Sequence, residues 1–183
     1  MGHNYTWQKL AQNAYRLNPK SRGHNYPYTP KFEIAQYTSG PNRGQKVIVP
    51  FMGTKSVLIS LRAWGVTQAS LHNITMLFSN VDIRTEDPQS SNFFQIEYEG
   101  QMYWIQKLDK LKHPLTSRCT CADFFYSFSF YNYNVAHCLY GPAPKPYIKK
   151  TNRPPRNPQH IPGICKHLYN AWAILRNSGL TIN

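Results

Sequence analysis

Acidic side chains are scarce in this chain: 8 Asp and Glu stand against 21 Lys and Arg in 183 residues, a formal net charge of +13. No apolar run approaches the roughly eighteen residues that a membrane-spanning helix requires, so a soluble protein is expected. The opening Met1-Gly2-His3-Asn4-Tyr5-Thr6-Trp7-Gln8 lacks a charged start followed by an apolar stretch, and no secretory signal is predicted. The chain has no Gly-rich phosphate loop, no paired-carboxylate context, and no Ser or Cys with a recognisable base beside it. An enzyme is therefore not expected. Cysteine is sparse too, at four residues, yet its placement is the most informative feature present.

The cysteines fall in Cys119-Thr120-Cys121-Ala122-Asp123-Phe124 and in Gly163-Ile164-Cys165-Lys166-His167-Leu168, with Cys138 between them. Residues two apart on a strand share a face, so Cys119 and Cys121 can grip one ion from a β-strand. Two residues apart on a helix diverge. Cys165 and His167 therefore require a tight turn at a helix start, which Pro162-Gly163 supplies. Three thiolates and one imidazole form a closed structural set for Zn2+, and four protein ligands leave no position for an activated water. Two disulfides or ordinary buried thiols are the competing readings; pairing Cys119 with Cys121 would be strained. Cys138 is read as an idle or buried thiol that replaces Cys165 only if the intervening segment folds back. His137 and His160 are candidate accessory ligands, and the other scattered histidines are read as surface or interface residues.

The order Cys-Thr-Cys-Ala-Asp-Phe followed by Gly-Ile-Cys-Lys-His-Leu resembles the SWIM-type zinc finger over about residues 115–178. The likeness extends to Asp123, Phe124, Lys166 and Leu168. It implies a strand-strand-helix module with Cys119, Cys121, Cys165 and His167 as the zinc ligands. The insert between the pairs is longer than that family usually carries.

Charge divides the chain unevenly. Residues 1–46 hold seven basic and one acidic side chain, residues 47–110 five and six, and residues 111–183 nine and one, giving +6, −1 and +8. The predicted organisation follows: a basic N-terminal helix and extended arm over 1–46, a β core over 47–114, and a zinc module over 115–183 with a basic Pro-rich insert at 139–162. In the first part, Trp7, Leu10, Ala11, Ala14 and Tyr15 recur at helical spacing, and Pro, Gly, Asn and Tyr dominate 19–46. In the second, strands are predicted at Val47–Phe51, Ser56–Trp64, Ile74–Phe78 and Val81–Ile83, with a hairpin over Phe93–Leu108 turning at Glu99-Gly100. That hairpin is expected to pair with the strand carrying Cys119 and Cys121. The fold class is α+β: a small antiparallel sheet with a zinc-stapled strand-strand-helix module.

Seven aromatics crowd residues 124–134. Read as a strand, that run places Phe124, Tyr126, Phe128 and Phe130 on one face, either buried centrally, covered by another subunit, or offered to nucleic-acid bases. The insert adds seven prolines and five basic residues without an acid, a semi-rigid cationic loop. Lys145, Lys149, Lys150, Arg153 and Arg156, with Phe128, Phe130 and Tyr147, are the candidate partner-binding residues. Both the arm and the insert are expected to be held mainly by other chains. A final helix presents Leu168, Ala171, Trp172 and Leu175 as one apolar stripe and ends at Asn177-Ser178-Gly179.

The segment 140–167 and the aromatic run before it are similar to uncharacterised proteins of tailed bacteriophages. The expectation is a non-enzymatic, zinc-binding structural subunit of a virion, made in the host cytoplasm, with other virion proteins as partners. A SWIM-type nucleic-acid-binding protein is the alternative.

Overall fold

The computed structural model describes residues 4–17, 31–64, 70–139, 143–146, 148, 152 and 155–182. Helix α1 is Trp7–Leu17. Eight strands follow: β1 Phe32–Ile34, β2 Ile48–Phe51, β3 Ser56–Trp64, β4 Leu71–Ser79, β5 Ile83–Arg84, β6 Phe93–Tyr98, β7 Gln101–Gln106 and β8 Leu115–Cys119. Residues 122–134 form a helix, α2, and Lys166–Asn177 forms α3. Among the described residues no helix is long and apolar enough to cross a membrane.

Burial alternation in β3 builds the larger sheet. Val57, Ile59, Leu61 and Ala63 point inward and are at most 1% exposed. In antiparallel register they face Phe78, Met76, Ile74 and His72 of β4. The inward row continues into β8, where Phe78, Met76 and Ile74 pair with Leu115, Ser117 and Cys119. Directly opposed residues share a face, so the register that buries Ile74 also carries Cys119 to the inner side. On the other edge, β1 and β2 occupy successive halves of β3, giving the order β1-β3-β4-β8 with β2 beside β3. Helices α1 and α3 cover the inner face through Trp7, Leu10, Leu168, Trp172 and Leu175. Trp172 stands 5.3 Å from Trp7 and 6.1 Å from Phe78 between ring centroids. A single hydrophobic cluster thus draws on residues from 7 to 180.

The predicted hairpin is present, with Glu99 and Gly100 at φ 51° and 76°, the pair of left-handed conformations that a two-residue type I′ turn needs. Its partner differs from expectation. β6 and β7 join β5 in a separate three-stranded sheet, ordered β5-β7-β6, and β8 pairs with β4 instead. The apolar row of β4 finds its continuation in Leu115, Ser117 and Cys119, and register follows the buried row.

The aromatic run is also corrected: it is helical, not a strand. α2 comprises Ala122–Phe124, a π-helical turn at Phe125–Ser129, and Phe130–Asn134. Phe124 and Phe128, four apart, are buried, whereas Phe125, Tyr126 and Tyr133 are exposed. Ser129 Oγ donates to Phe125 O at 2.7 Å, a side-chain bond to the preceding turn of the kind that bends helices. Aromatic β-propensity gave the strand expectation, and packing of one helical face against the core overrode it.

The described ends of arm and insert are fastened within the chain. β1 pairs with β3, and Gln36 and Tyr37 bridge to Lys46 and Arg43. Asn157 Nδ2 donates to Ser127 O and Ile161 O, each at 2.8 Å. Asn13 Nδ2 reaches Pro162 O at 2.9 Å. Backbone pairing holds the described end of the arm, and asparagine side-chain hydrogen bonds hold the described end of the insert.

Candidate metal centre

Three elements, β8, α2 and α3, converge to bring four donors together. Cys119 is the last residue of β8. Thr120 then locks the chain to β4, donating its backbone N–H to Asn73 O and accepting the Asn73 N–H on Oγ1, both at 3.0 Å. Cys121 follows as the extended N-cap of α2, at φ −74° and ψ 150°, and its Sγ accepts the Phe124 N–H at 3.3 Å. The predicted pair thus straddles a strand end and a helix start rather than lying on one strand.

Cys165 is the N-cap of α3, at φ −77° and ψ 171°, and makes no side-chain cap bond, so its Sγ faces the cluster; His167 lies in the first helical turn. The turn that precedes them is held by Asn132, which donates to Gly163 O and accepts from Gly163 N–H, each at 2.9 Å. Gly163 is required there. A Cβ at that position would stand 2.5 Å from Phe128 Cε1, so the close approach of turn and α2 that delivers Cys165 depends on the missing side chain.

The donor atoms of Cys119, Cys121, Cys165 and His167 all lie within 4.8 Å of one another. Their residues are buried, with exposures of 3, 3, 0 and 2%. Cys119 Sγ and His167 Nδ1 are 3.8 Å apart. A tetrahedron with zinc–sulfur bonds of about 2.3 Å has edges of about 3.8 Å, so the spacing suits one ion at the centre. None of the four cysteines is in a disulfide. The cluster is a candidate metal site of three sulfurs and one nitrogen.

Its electrostatics favour a cation in the middle. S–H groups of Cys119 and Cys165 donate to Cys121, which holds that thiol well below the ordinary range. The same hydrogen bond to Cys121 pushes Cys119 up, and burial pushes Cys165 up. Three crowded sulfurs thus compete for protons, and Cys121 is the one whose thiolate form is most favoured. A divalent ion would displace the remaining protons, since the thiolate is the ligand form. Cys121 and Cys165 both stand at helix N-termini, where the helix dipole favours negative charge.

Of the other residues singled out by sequence, Cys138 is half-buried and bridges to Ser117 outside the cluster, so it does not replace Cys165. His137 is structural: its Nδ1 lies 2.7 Å from Leu115 O, to which it donates, while Nε2 accepts the Tyr5 N–H at 3.3 Å. His160 is exposed and stacks on Tyr131. Neither is an accessory ligand. No sequence pattern sets His72 apart from the other histidines, yet its ring lies 4.6 Å from that of His167, and burial lowers its pKa. Its position opposite Ala63, next to the inward row, is set by register alone.

Among the candidate partner residues, Phe128 is fully buried against Gly163 and has no surface to offer. Phe130 is half-buried, edge-on to Tyr131. Lys145 shares the lining of a cleft with Arg118 and Cys119. Arg156 lies over the Tyr126 ring and 3.8 Å from Asp123. Tyr147, Lys149, Lys150 and Arg153 lie outside the described residues.

Comparison with protein-family models, curated proteins and solved structures finds no match to this chain.

Proposed function

We propose that Cys119, Cys121, Cys165 and His167 bind one Zn2+ as a closed structural site, and that the chain is a non-enzymatic building block of a larger assembly. The observation that carries the metal reading is the convergence of four buried donors from β8, α2 and α3 within 4.8 Å. With four protein ligands around it, the ion would keep no open position for water, and its work would be to clamp a strand end to two helix starts. The SWIM-type likeness of the two motifs supports zinc over other soft metals. The tailed-bacteriophage likeness and the +13 charge support a virion subunit, and a SWIM-type nucleic-acid-binding role is the second reading. Metal analysis of purified, reduced protein supplied with zinc tests the first step: the expected result is one zinc per chain, and protein that takes up no stoichiometric zinc refutes it.

A further inference from the structure

Away from the metal, α1 and α3 meet along Trp7, whose indole N–H donates to Leu168 O at 3.3 Å and whose ring lies 5.3 Å from that of Tyr169. Two clefts open at this seam. One, of about 580 Å³, runs along α1 to Tyr15 and Arg16. The other, of about 450 Å³, crosses α3 to Arg176, Leu111 and Ile182. They share Trp7, Lys110 and Tyr169, so they form one continuous surface.

Its chemistry is two-sided. Leu111, Tyr15 and Ile182 are 60, 50 and 40% exposed, a concentration of apolar surface that marks an interaction site when rimmed by charge. The rim is cationic, formed by Arg16, Lys110 and Arg176, and among the described residues none of the three has an ion-pair partner. The single acid there, Asp109, is engaged within its own turn: Oδ1 accepts the Leu111 N–H at 2.8 Å, and Oδ2 lies 3.8 Å from Lys112 Nζ.

We infer that this face docks an acidic protein segment whose apolar side chains enter the two clefts and whose carboxylates lie over Arg16, Lys110 and Arg176. Aromatic or aliphatic anchors in pockets ringed by charge are how compact interfaces gain most of their affinity. Exposed Leu111 and Ile182 favour a protein partner over nucleic acid, which needs stacking faces and phosphate contacts rather than aliphatic ones. The inference stands on α1–α3 packing and is independent of the zinc reading.

The test is selection of short random peptides on the full, metal-replete chain, with affinities of enriched peptides measured by fluorescence polarisation. Enriched sequences are expected to combine Asp or Glu with Leu, Phe or Trp. Lys110→Glu should weaken binding at least tenfold and Leu111→Ser severalfold; both side chains are exposed, and unchanged thermal melts would confirm intact folding. Exchanging one peptide Glu for Lys should restore binding to Lys110→Glu. Failure to enrich any peptide, enrichment of peptides without acids, or equal binding by both variants would overturn the inference. Tighter binding of labelled oligothymidine than of any peptide, lost in the same variants, would also overturn it and assign the face to nucleic acid.

Discussion

Cys165→Ser separates a metal ligand from a helix cap. Cys165 is fully buried and caps α3 through backbone geometry alone, whereas serine is a preferred N-cap worth about 1 kcal/mol more than a residue without a capping side chain. As a local change the substitution should therefore be neutral or slightly stabilising to α3. As a loss of one of four ligands it should be severe. Zinc that binds only the folded chain stabilises it by about 4 kcal/mol when free metal exceeds Kd a thousandfold. For a chain of this size each kcal/mol moves Tm by about 2–4 °C, so the variant should melt roughly 8–16 °C below the zinc-loaded parent. Strong chelation of the parent should produce a similar drop. The assay is a thermal melt followed by circular dichroism, with zinc content measured on the same samples. If the variant retains one zinc per chain, or the loaded parent melts at the same temperature with and without chelator, the four-ligand assignment fails.

Gly163→Ala should cost about 1–3 kcal/mol as an overpacked contact, because its Cβ would meet the buried Phe128 ring at 2.5 Å; urea unfolding measures this, and adding Phe128→Leu should recover part of the loss. Trp7→Ala should cost about 3–5 kcal/mol, since Trp7 packs on Tyr169 and Trp172, and hydrogen exchange should show α1 opening first; uniform protection would contradict that order. Burial, with help from Lys112 and against Asp109, lowers the pKa of His113 from 6.5, and its Nδ1 accepts the Asp109 N–H at 2.8 Å. The unfolded chain then takes up the proton first, so stability should fall as pH drops below about 6.5 and level off below the folded-state pKa. His113→Gln should flatten that part of the profile in metal-replete protein, and an unchanged profile would remove His113 as its source.

Periodicity made much of the secondary structure legible. Alternation in Ser56–Trp64, the Glu99-Gly100 turn, and the i, i+3, i+4, i+7 stripe from Leu168 to Leu175 each encode a local geometry that needs no distant partner, and each is found where the sequence places it. The stop after Asn177 is equally local. Gly179 at φ 74° lets Leu180 N–H reach Leu175 O and Gly179 N–H reach Arg176 O, both at 3.0 Å, the paired bonds of a glycine-terminated helix. The aromatic run failed for the complementary reason. Its composition suits a strand, and only the hydrogen bonds joining Asn132 to Gly163 and Asn157 to Ser127, together with Phe128 beneath Gly163, make a helix the better use of it.

The candidate metal ligands divide along the same line. Paired spacing singled out Cys119, Cys121, Cys165 and His167, with Cys138 the alternative to Cys165, because soft donors in two close pairs carry coordination chemistry whatever fold surrounds them. Tertiary structure decided how they meet. The register of β8 on β4 sets Cys119 on the buried face, the α2 start turns Cys121 toward it, and the side-chain-free approach of Gly163 to Phe128 delivers Cys165. Which strand lies beside β8, and that His72 packs on His167, depend on contacts between residues distant in the chain. Such contacts follow from burying one shared apolar row, a constraint on the whole chain that no local pattern contains.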